Sequence, residues 1–205
     1  MYVEQNGSSS WHQPSECLWS SITNIEGKVA INVQYKDLKD FFTVMLGVRL
    51  VDLTMVYDSL LEVSSKNPSV DRVKELLRAF NSLLTSNDNI PKPGRMLRRR
   101  VFPVKAPNGQ ITLCSSQAEF VIVDRVEPFN IFKDRIKFLD FSLQEVCRLR
   151  HFIAWAGLQP RYLSRCVEEV SRVEGGIEMP ITERNRDLKT KAYGLLRYVY
   201  TFPVS

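Results

Sequence analysis

The sequence is poor in the side chains that build metal and redox sites. Its only histidines are His12 and His151, and its four cysteines lie far apart with no Cys-x-x-Cys pair. A structural zinc site normally uses ligands that are closely paired along the chain. We therefore expect no metal and no cofactor, and we interpret the cysteines as reduced and mostly buried thiols.

Long apolar runs are also missing. The longest runs are far shorter than the ~18–20 residues that a membrane span needs. Residues 1–13 have neither the basic nor the apolar region of a signal peptide. We expect an intracellular protein, cytoplasmic or nuclear, without a membrane span. The 205 residues, 44% hydrophobic and 25% charged, are enough to bury a core in one domain or two small ones.

Acidic residues are absent between Asn89 and Ala118, and this gap locates the net charge. The other 22 basic residues face 23 acids, which leaves the remainder of the chain at −1 although the whole carries +5. The excess positive charge therefore lies in one stretch. We call its six cations the basic patch: Lys92, Arg95, Arg98, Arg99, Arg100 and Lys105.

The basic patch allows two binding functions and one structural explanation. Arginine binds phosphates and carboxylates through a planar fork, so either nucleic acid or an acidic protein partner fits the charge. Phe102 alternates inward with Val104, which leaves no obvious exposed aromatic platform for stacked bases and favours a protein partner. Without a function, the patch would be a solvated loop or a sheet edge protected by charge.

A helix is predicted from Ser142 to Ala156. Ser142 and Glu145 form a capping box, and Gly157 suits the left-handed position that follows a helix. Arg150 falls on the apolar arc, so we expect it to be buried against a carboxylate of Asp140 or Glu169. The opposite, polar arc carries three candidate interface residues: Arg148, His151 and Trp155.

Two of these residues, Trp155 and His151, have more than one interpretation. Trp155 is either an interface anchor or a side chain half-buried under another layer. His151 could act as an acid or base, but the sequence places no serine or cysteine nucleophile beside it. We therefore predict no catalytic residue.

The periodicity predicts an α+β protein: an N-terminal helical layer followed by a small, mostly antiparallel sheet packed with C-terminal helices. We divide the chain into a flexible tail (1–16), a helical subdomain (17–88) and an α+β subdomain (89–205) with the basic linker and a hairpin at its start. The predicted helices are 36–47, 54–62, 69–84, 142–156 and 182–200, with one helical turn at 128–133. The predicted strands are 100–105, 110–114, 119–124 and 137–139.

An ordered series of short segments carries a family resemblance. The segments are 100–104, 107–109, 120–124, 139–146, 157–158 and 161–164, preceded by Cys17-Leu18-Trp19 and by Phe41-Phe42 with Leu46-Gly47-Val48. Their order resembles a region of large fungal proteins that carry an Hsp90-like ATPase domain of the sacsin and NO VEIN type. The N-box and the Asp-x-Gly-x-Gly lid motif of such a domain are both missing. The resemblance therefore implies a non-ATPase region downstream of it.

These observations lead to three hypotheses for function. The first is a non-catalytic interaction or accessory module that docks on a protein partner through the basic patch. The second is a nucleic-acid-binding module that uses the basic stretch 92–105. The third is a small accessory enzyme, for example in a fungal biosynthetic pathway, whose site is not visible in the sequence.

Overall fold

The computed structural model describes residues 1–5, 8–20, 22–66, 68–85 and 90–167. The predicted helix at 182–200 and Glu169, one proposed partner of Arg150, lie outside the described residues. The predicted start of the second subdomain, residue 89, lies outside them as well. The described residues form small sheets and helices, so the fold class is α+β, as the sequence predicts.

Two small sheets occupy the N-terminal part of the chain. An antiparallel hairpin joins the first two strands, and a parallel sheet with the order β4-β3-β5 follows. The strands are β1 (Tyr2–Gln5), β2 (Ser8–Trp11), β3 (Cys17–Trp19), β4 (Val29–Ala30) and β5 (Arg49–Leu50), with a 3-10 turn at Pro14–Glu16.

The hairpin lies within residues 1–16, where the composition predicted a flexible tail. The burial of one of its side chains explains why a regular structure forms there. Val3 is only 3% exposed and packs into a small set of buried side chains, so the first strand gains apolar contacts that a free tail lacks. We call this set the N-terminal cluster: Val3, Cys17, Trp19, Ile31, Phe42 and Val48.

The helix predicted at 36–47 is replaced by two short pieces. A 3-10 turn spans Lys36–Leu38 and a single π-helical turn spans Phe41–Met45. Only Phe42 of the π-turn is buried, whereas Leu38, Phe41 and Met45, whose helical spacing predicted the helix, are about half exposed or more. The wider turn bonds Leu46 N–H to the Phe41 carbonyl at 3.1 Å, which breaks the 3.6-residue spacing on which that prediction depended. Gly47 ends the segment at φ +67°, as predicted.

Two longer helices follow, α1 (Leu53–Val63) and α2 (Val70–Leu84). The helix predicted at 54–62 begins one residue earlier, because Asp52 caps α1 by accepting the Met55 N–H at 2.8 Å. Ser69 caps α2 as predicted, by accepting the Arg72 N–H at 3.2 Å. The apolar side chains that recur at helical spacing in α2 form a stripe that is buried throughout: Val73, Leu76, Leu77, Phe80 and Leu84.

A short helix, a three-stranded sheet and one further helix come next. The elements are α3 (Gly94–Leu97), β6 (Phe102–Lys105), β7 (Ile111–Cys114), α4 (Val126–Phe132) and β8 (Phe138–Leu139). The sheet has the order β7-β6-β8 and is antiparallel throughout. The predicted hairpin between β6 and β7 is confirmed, and Gly109 takes φ +83° in its turn.

The predicted strand at 119–124 does not form as a regular element. Its backbone divides its bonds between two neighbours of the described chain, since Val121 pairs with Phe138 and Ile122 pairs with Tyr162. Each pairing is a single parallel bridge. The segment therefore links β8 to the chain near Tyr162 without extending the sheet.

The predicted helix after Ser142 is interrupted at Leu149. It forms α5 (Leu143–Arg148) and α6 (Arg150–Trp155), and the capping box of Ser142 and Glu145 is confirmed. At the break, the Asn81 carboxamide of α2 replaces the helical bond: its Nδ2 donates to the Arg148 carbonyl at 3.0 Å, and its Oδ1 accepts the Phe152 N–H at 3.0 Å. A side chain inserted into the helical ladder is a recognised cause of such a bend.

The interruption overturns the predicted burial of Arg150. That prediction needed one continuous helix, and the break lets the Arg150 side chain point to solvent. Its Nε–H donates to Nε2 of His151 at 3.3 Å. Beyond α6, Gly157 takes φ +67°, as predicted, and Leu158 N–H returns to the Ile153 carbonyl. A 3-10 turn (Gln159–Arg161) and α7 (Leu163–Cys166) complete the described chain.

One large apolar core lies among α1, α2, the β6 sheet, α5 and α6. Its members come from both sides of residue 89. We call it the main core: Leu53, Val56, Tyr57, Leu60, Val63, Val73, Leu76, Leu77, Ala79, Phe80, Leu84, Met96, Val101, Phe102, Val104, Phe120, Ile122, Leu139, Phe141, Val146, Leu149, Phe152, Ile153, Ala156 and Leu158.

Candidate functional site

Local burial sets the direction of the cations in the basic patch. Met96 of α3 is fully buried, and the Leu97 carbonyl accepts the Ser116 N–H at 2.9 Å. These contacts hold the inner face of the short helix against the main core. Arg95 and Arg98, on either side, are exposed as a consequence.

The exposed cations surround an open groove of about 790 Å³. Four of the six residues in the basic patch line it, and the described lining includes no acidic residue. We call it the basic groove, and its lining residues are Tyr57, Pro91, Lys92, Gly94, Arg95, Arg98 and Arg99.

The positive charge of the basic groove is not neutralised inside the described chain. Within residues 1–167 as far as they are described, none of Lys92, Arg95, Arg98 and Arg99 has an ion pair or a side-chain hydrogen bond. Arg95 lies three residues before Arg98, which ends the same helical turn, and like charges at this spacing repel. Packing of the segment against the core must offset this repulsion, and a bound anion would relieve it.

Two aromatic residues, the buried Tyr57 and the half-buried Trp155, fix the start of the basic segment. The Tyr57 hydroxyl donates to the Lys92 carbonyl at 3.1 Å, and Trp155 Nε1–H donates to the Pro91 carbonyl at 2.8 Å. The two rings meet edge to face at 6.3 Å, and Phe80 lies 4.7 Å from the Trp155 ring. Hydrogen bonds therefore hold the backbone at the start of the groove against the main core. The cationic side chains of the groove make no ion pair in the described chain.

The contact of Trp155 with Pro91 decides whether its ring is partly buried, which the sequence did not. Its ring is half-buried behind the basic segment, which is the second of the two alternatives considered for it. Its role as an interface anchor stays a prediction. The contact of Tyr57 with the basic segment was not predicted from the sequence; a buried phenol needs an acceptor for its hydroxyl, and that need was the one available signal of this role.

The remaining candidate residues lie outside the groove lining. Arg100 is exposed beside it, and Lys105 is half-buried in β6, in register with Ile111 and Phe138. Arg148 and His151 are exposed, and Arg148 lines a separate cavity of about 350 Å³ with Arg78 and Glu145. The structure therefore brings four of the predicted cations together. Of the predicted interface residues, Trp155 contacts the groove from behind through Pro91, whereas Arg148 and His151 lie outside the groove lining.

The thiols do not form a reactive or metal-binding set. All four cysteines are free; Cys17 is buried, Cys114 is half-buried, and Cys147 and Cys166 are exposed, so the predicted burial is wrong for the last two. Burial raises the pKa of the Cys17 thiol. In the described ranges, no three histidine, cysteine or acidic side chains come together as a metal site.

Comparison with known proteins gives one match. Neither the curated proteins nor the solved structures contain a match to the chain. No helix of the described residues has the length and apolar character of a membrane span. The family model of a domain of unknown function, DUF8348, matches residues 54–167, which is more than half of the 205 residues. The chain therefore belongs to the DUF8348 family.

Proposed function

We propose that the chain is a non-catalytic interaction module that binds an acidic segment of a partner protein in the basic groove. The observation that carries the proposal is the set of four cations around one groove, without ion pairs in the described chain. Such a concentration of one charge attracts a partner of opposite charge and accelerates the encounter. Because of the family resemblance, we also propose that the module serves as the accessory region of a larger ATPase-bearing protein.

The anchored backbone supports binding as well as attraction. The Tyr57 and Trp155 hydrogen bonds hold the Pro91 and Lys92 carbonyls, so little backbone order has to be gained when a partner binds. A pre-organised site loses less entropy on association than a mobile loop. The arginines add forked donors that match a carboxylate in two places.

A protein partner fits the groove better than a nucleic acid. Stacking on exposed aromatic rings supplies much of the affinity for single strands. The one aromatic ring in the described lining, Tyr57, is 5% exposed and packs against Trp155. Nucleic-acid binding would therefore depend on phosphate contacts alone, with the steep salt dependence that such contacts produce.

The test is a binding assay with two labelled probes of equal charge, a glutamate-rich peptide and a single-stranded oligonucleotide. Fluorescence anisotropy would compare the natural chain with a groove variant, Arg95→Glu, Arg98→Glu and Arg99→Glu. We expect the groove variant to bind the peptide at least about tenfold more weakly, because three attractive charges become repulsive.

The matched control carries the same change of net charge at exposed cations away from the groove. Lys36→Glu, Arg125→Glu and Lys133→Glu serve this purpose, since all three side chains are exposed and none lines the groove. We expect less than about a twofold loss from this variant, because none of the three charges lines the groove and salt screens exposed charges that make no direct contact. Equal losses in both variants would refute a specific groove, and tighter binding of the oligonucleotide would favour the nucleic-acid alternative.

A further inference from the structure

A second cavity, remote in sequence from the basic groove, combines cations with an apolar floor. It has a volume of about 490 Å³ and lies where the segment around Val121 meets the chain before β8 and the 3-10 turn before α7. We call it the Arg161 pocket, and its lining residues are Glu119, Phe120, Val121, Arg135, Ile136, Lys137, Pro160, Arg161 and Cys166.

Arg161 is the most firmly placed cation of this pocket. Its Nη1 donates to the Ala118 carbonyl at 2.6 Å, its Nη2 donates to the Ser116 carbonyl at 2.5 Å, and its Cζ lies 4.4 Å from the centre of the Phe120 ring. These contacts orient the guanidinium without neutralising it. In the part of the chain that the structure describes, no carboxylate pairs with Arg161.

A half-buried guanidinium without an anion is an unusual arrangement. Carbonyl groups and an aromatic face offset part of its lost hydration, but a charge in a partly dry site is normally compensated by an opposite charge. Two further cations, Arg135 and Lys137, are exposed at the pocket wall, and neither has an ion pair within the described ranges. With Glu119 as the acidic member of the lining, the pocket keeps a charge of about +2.

From this geometry we propose that the Arg161 pocket binds a small organic anion, a carboxylate or phosphate carried on an apolar or aromatic body. Phe120, Val121, Ile136 and Pro160 provide the apolar contacts, and the three cations receive the anionic group. The volume falls in the range of ordinary small-molecule sites, roughly 300–1,000 Å³. This site is separate from the basic groove, so it stands or falls independently of the proposed partner binding.

An exposed thiol makes the pocket testable without knowledge of its natural ligand. Cys166 and Cys147 are both exposed, but only Cys166 is among the lining residues of the pocket. Alkylation of each thiol in the full chain by iodoacetamide, followed by peptide mass spectrometry, would measure how a probe shields the two positions. The probes are phenyl phosphate, which has both an apolar body and an anion, inorganic phosphate and phenol.

We expect phenyl phosphate, at up to ~10 mM, to slow the alkylation of Cys166 but not of Cys147. Inorganic phosphate and phenol each supply half of the contacts, so each should need a concentration roughly tenfold higher for the same protection. Removal of the two wall cations, in Arg135→Ala with Lys137→Ala, should raise the required phenyl phosphate concentration about tenfold.

These wall variants are chosen because both side chains are exposed and their removal leaves the backbone contacts of Arg161 in place. A double variant of the basic groove, Lys92→Ala with Arg95→Ala, is the control and should leave the protection of Cys166 unchanged. Absence of protection at Cys166, equal protection of both cysteines, or protection unaffected by the wall variants would each overturn the proposal.

Discussion

The two apolar clusters of the described chain differ in how completely they are closed. The main core extends from Leu53 to Leu158 and almost coincides with the family match at 54–167. The N-terminal cluster lies wholly before that match, and its surroundings leave Val33, Val44 and Met45 at least 75% exposed. The comparison shows that the region matched by the family model contains nearly all the residues that form the main core.

The first prediction sets one phenylalanine of each cluster against the other. Phe80 is fully buried among Tyr57, Phe152 and Trp155, so Phe80→Ala should lower the free energy of unfolding by about 4 kcal/mol. Phe42→Ala should cost less, about 3 kcal/mol, because the half-exposed Phe41 ring beside it can move into the space. Urea denaturation followed by circular dichroism measures both values, and equal losses would break the comparison.

The second prediction concerns the bond that joins α2 to the break at Leu149. Asn81→Ala leaves the Arg148 carbonyl and the Phe152 N–H without their partner, so we expect a loss of about 2 kcal/mol. Asn130→Ala, an exposed position in α4, is the control and should change stability by less than about 0.5 kcal/mol. Faster hydrogen exchange at the Phe152 amide would locate the effect, and an unchanged exchange rate would contradict it.

The third prediction uses the pH dependence of the main-core region. Desolvation alone would raise the pKa of Glu145, but hydrogen bonds from Ser142 and from Arg78 outweigh it and lower the pKa from 4.5 to about 2. The resulting stability is present above the ordinary pKa and is lost as the pH falls from 4.5 towards 2. After allowance for solvent screening, we expect a loss of about 1 kcal/mol over that window.

Glu145→Gln should remove this acid-dependent loss, because glutamine does not titrate. Glu127→Gln, at an exposed position of α4, is the matched control and should keep it. Urea midpoints measured at intervals from pH 6 down to pH 2 give the comparison. Identical pH profiles for the natural chain and Glu145→Gln would show that the lowered pKa of Glu145 does not contribute to the free energy of unfolding.

The fourth and smallest prediction compares two tyrosine hydroxyls. Tyr57→Phe removes the bond to the Lys92 carbonyl and should cost about 1 kcal/mol, while Tyr35→Phe removes an exposed bond to the Tyr2 carbonyl and should cost about 0.5 kcal/mol. Tyr57→Phe should also weaken peptide binding in the basic groove by about threefold, because the segment becomes less ordered. Tyr35→Phe should leave that binding unchanged.

Local signals account for the parts of the fold that the sequence predicted well. Ser69 and Ser142 cap helices, the α2 stripe repeats at helical spacing, and Asn108-Gly109 turns a hairpin. Each of these features depends on residues a few positions apart. The clustering of cations around the groove was predictable in the same sense, since the charge gap between Asn89 and Ala118 is a property of one continuous stretch.

Features that need distant residues could not be predicted. The break at Leu149 depends on Asn81, 67 residues before Arg148, and the sequence around Ser142 reads as one helix without it. The parallel sheet uses strands of two or three residues, too short to show a period. The Arg161 pocket likewise joins three separate segments, so its cations look like ordinary surface charges when read in order.

The position of Asn81 has a consequence for the order of folding. A bend that another helix imposes can form only after that helix has docked, so residues 142–157 alone have no reason to bend at Leu149. An excised peptide of this segment would form a straight, frayed helix or none, because short helices are marginal in water. We therefore expect the bend to form together with the docking of α2, so its appearance in a refolding experiment would report the moment at which α2 and α6 come together.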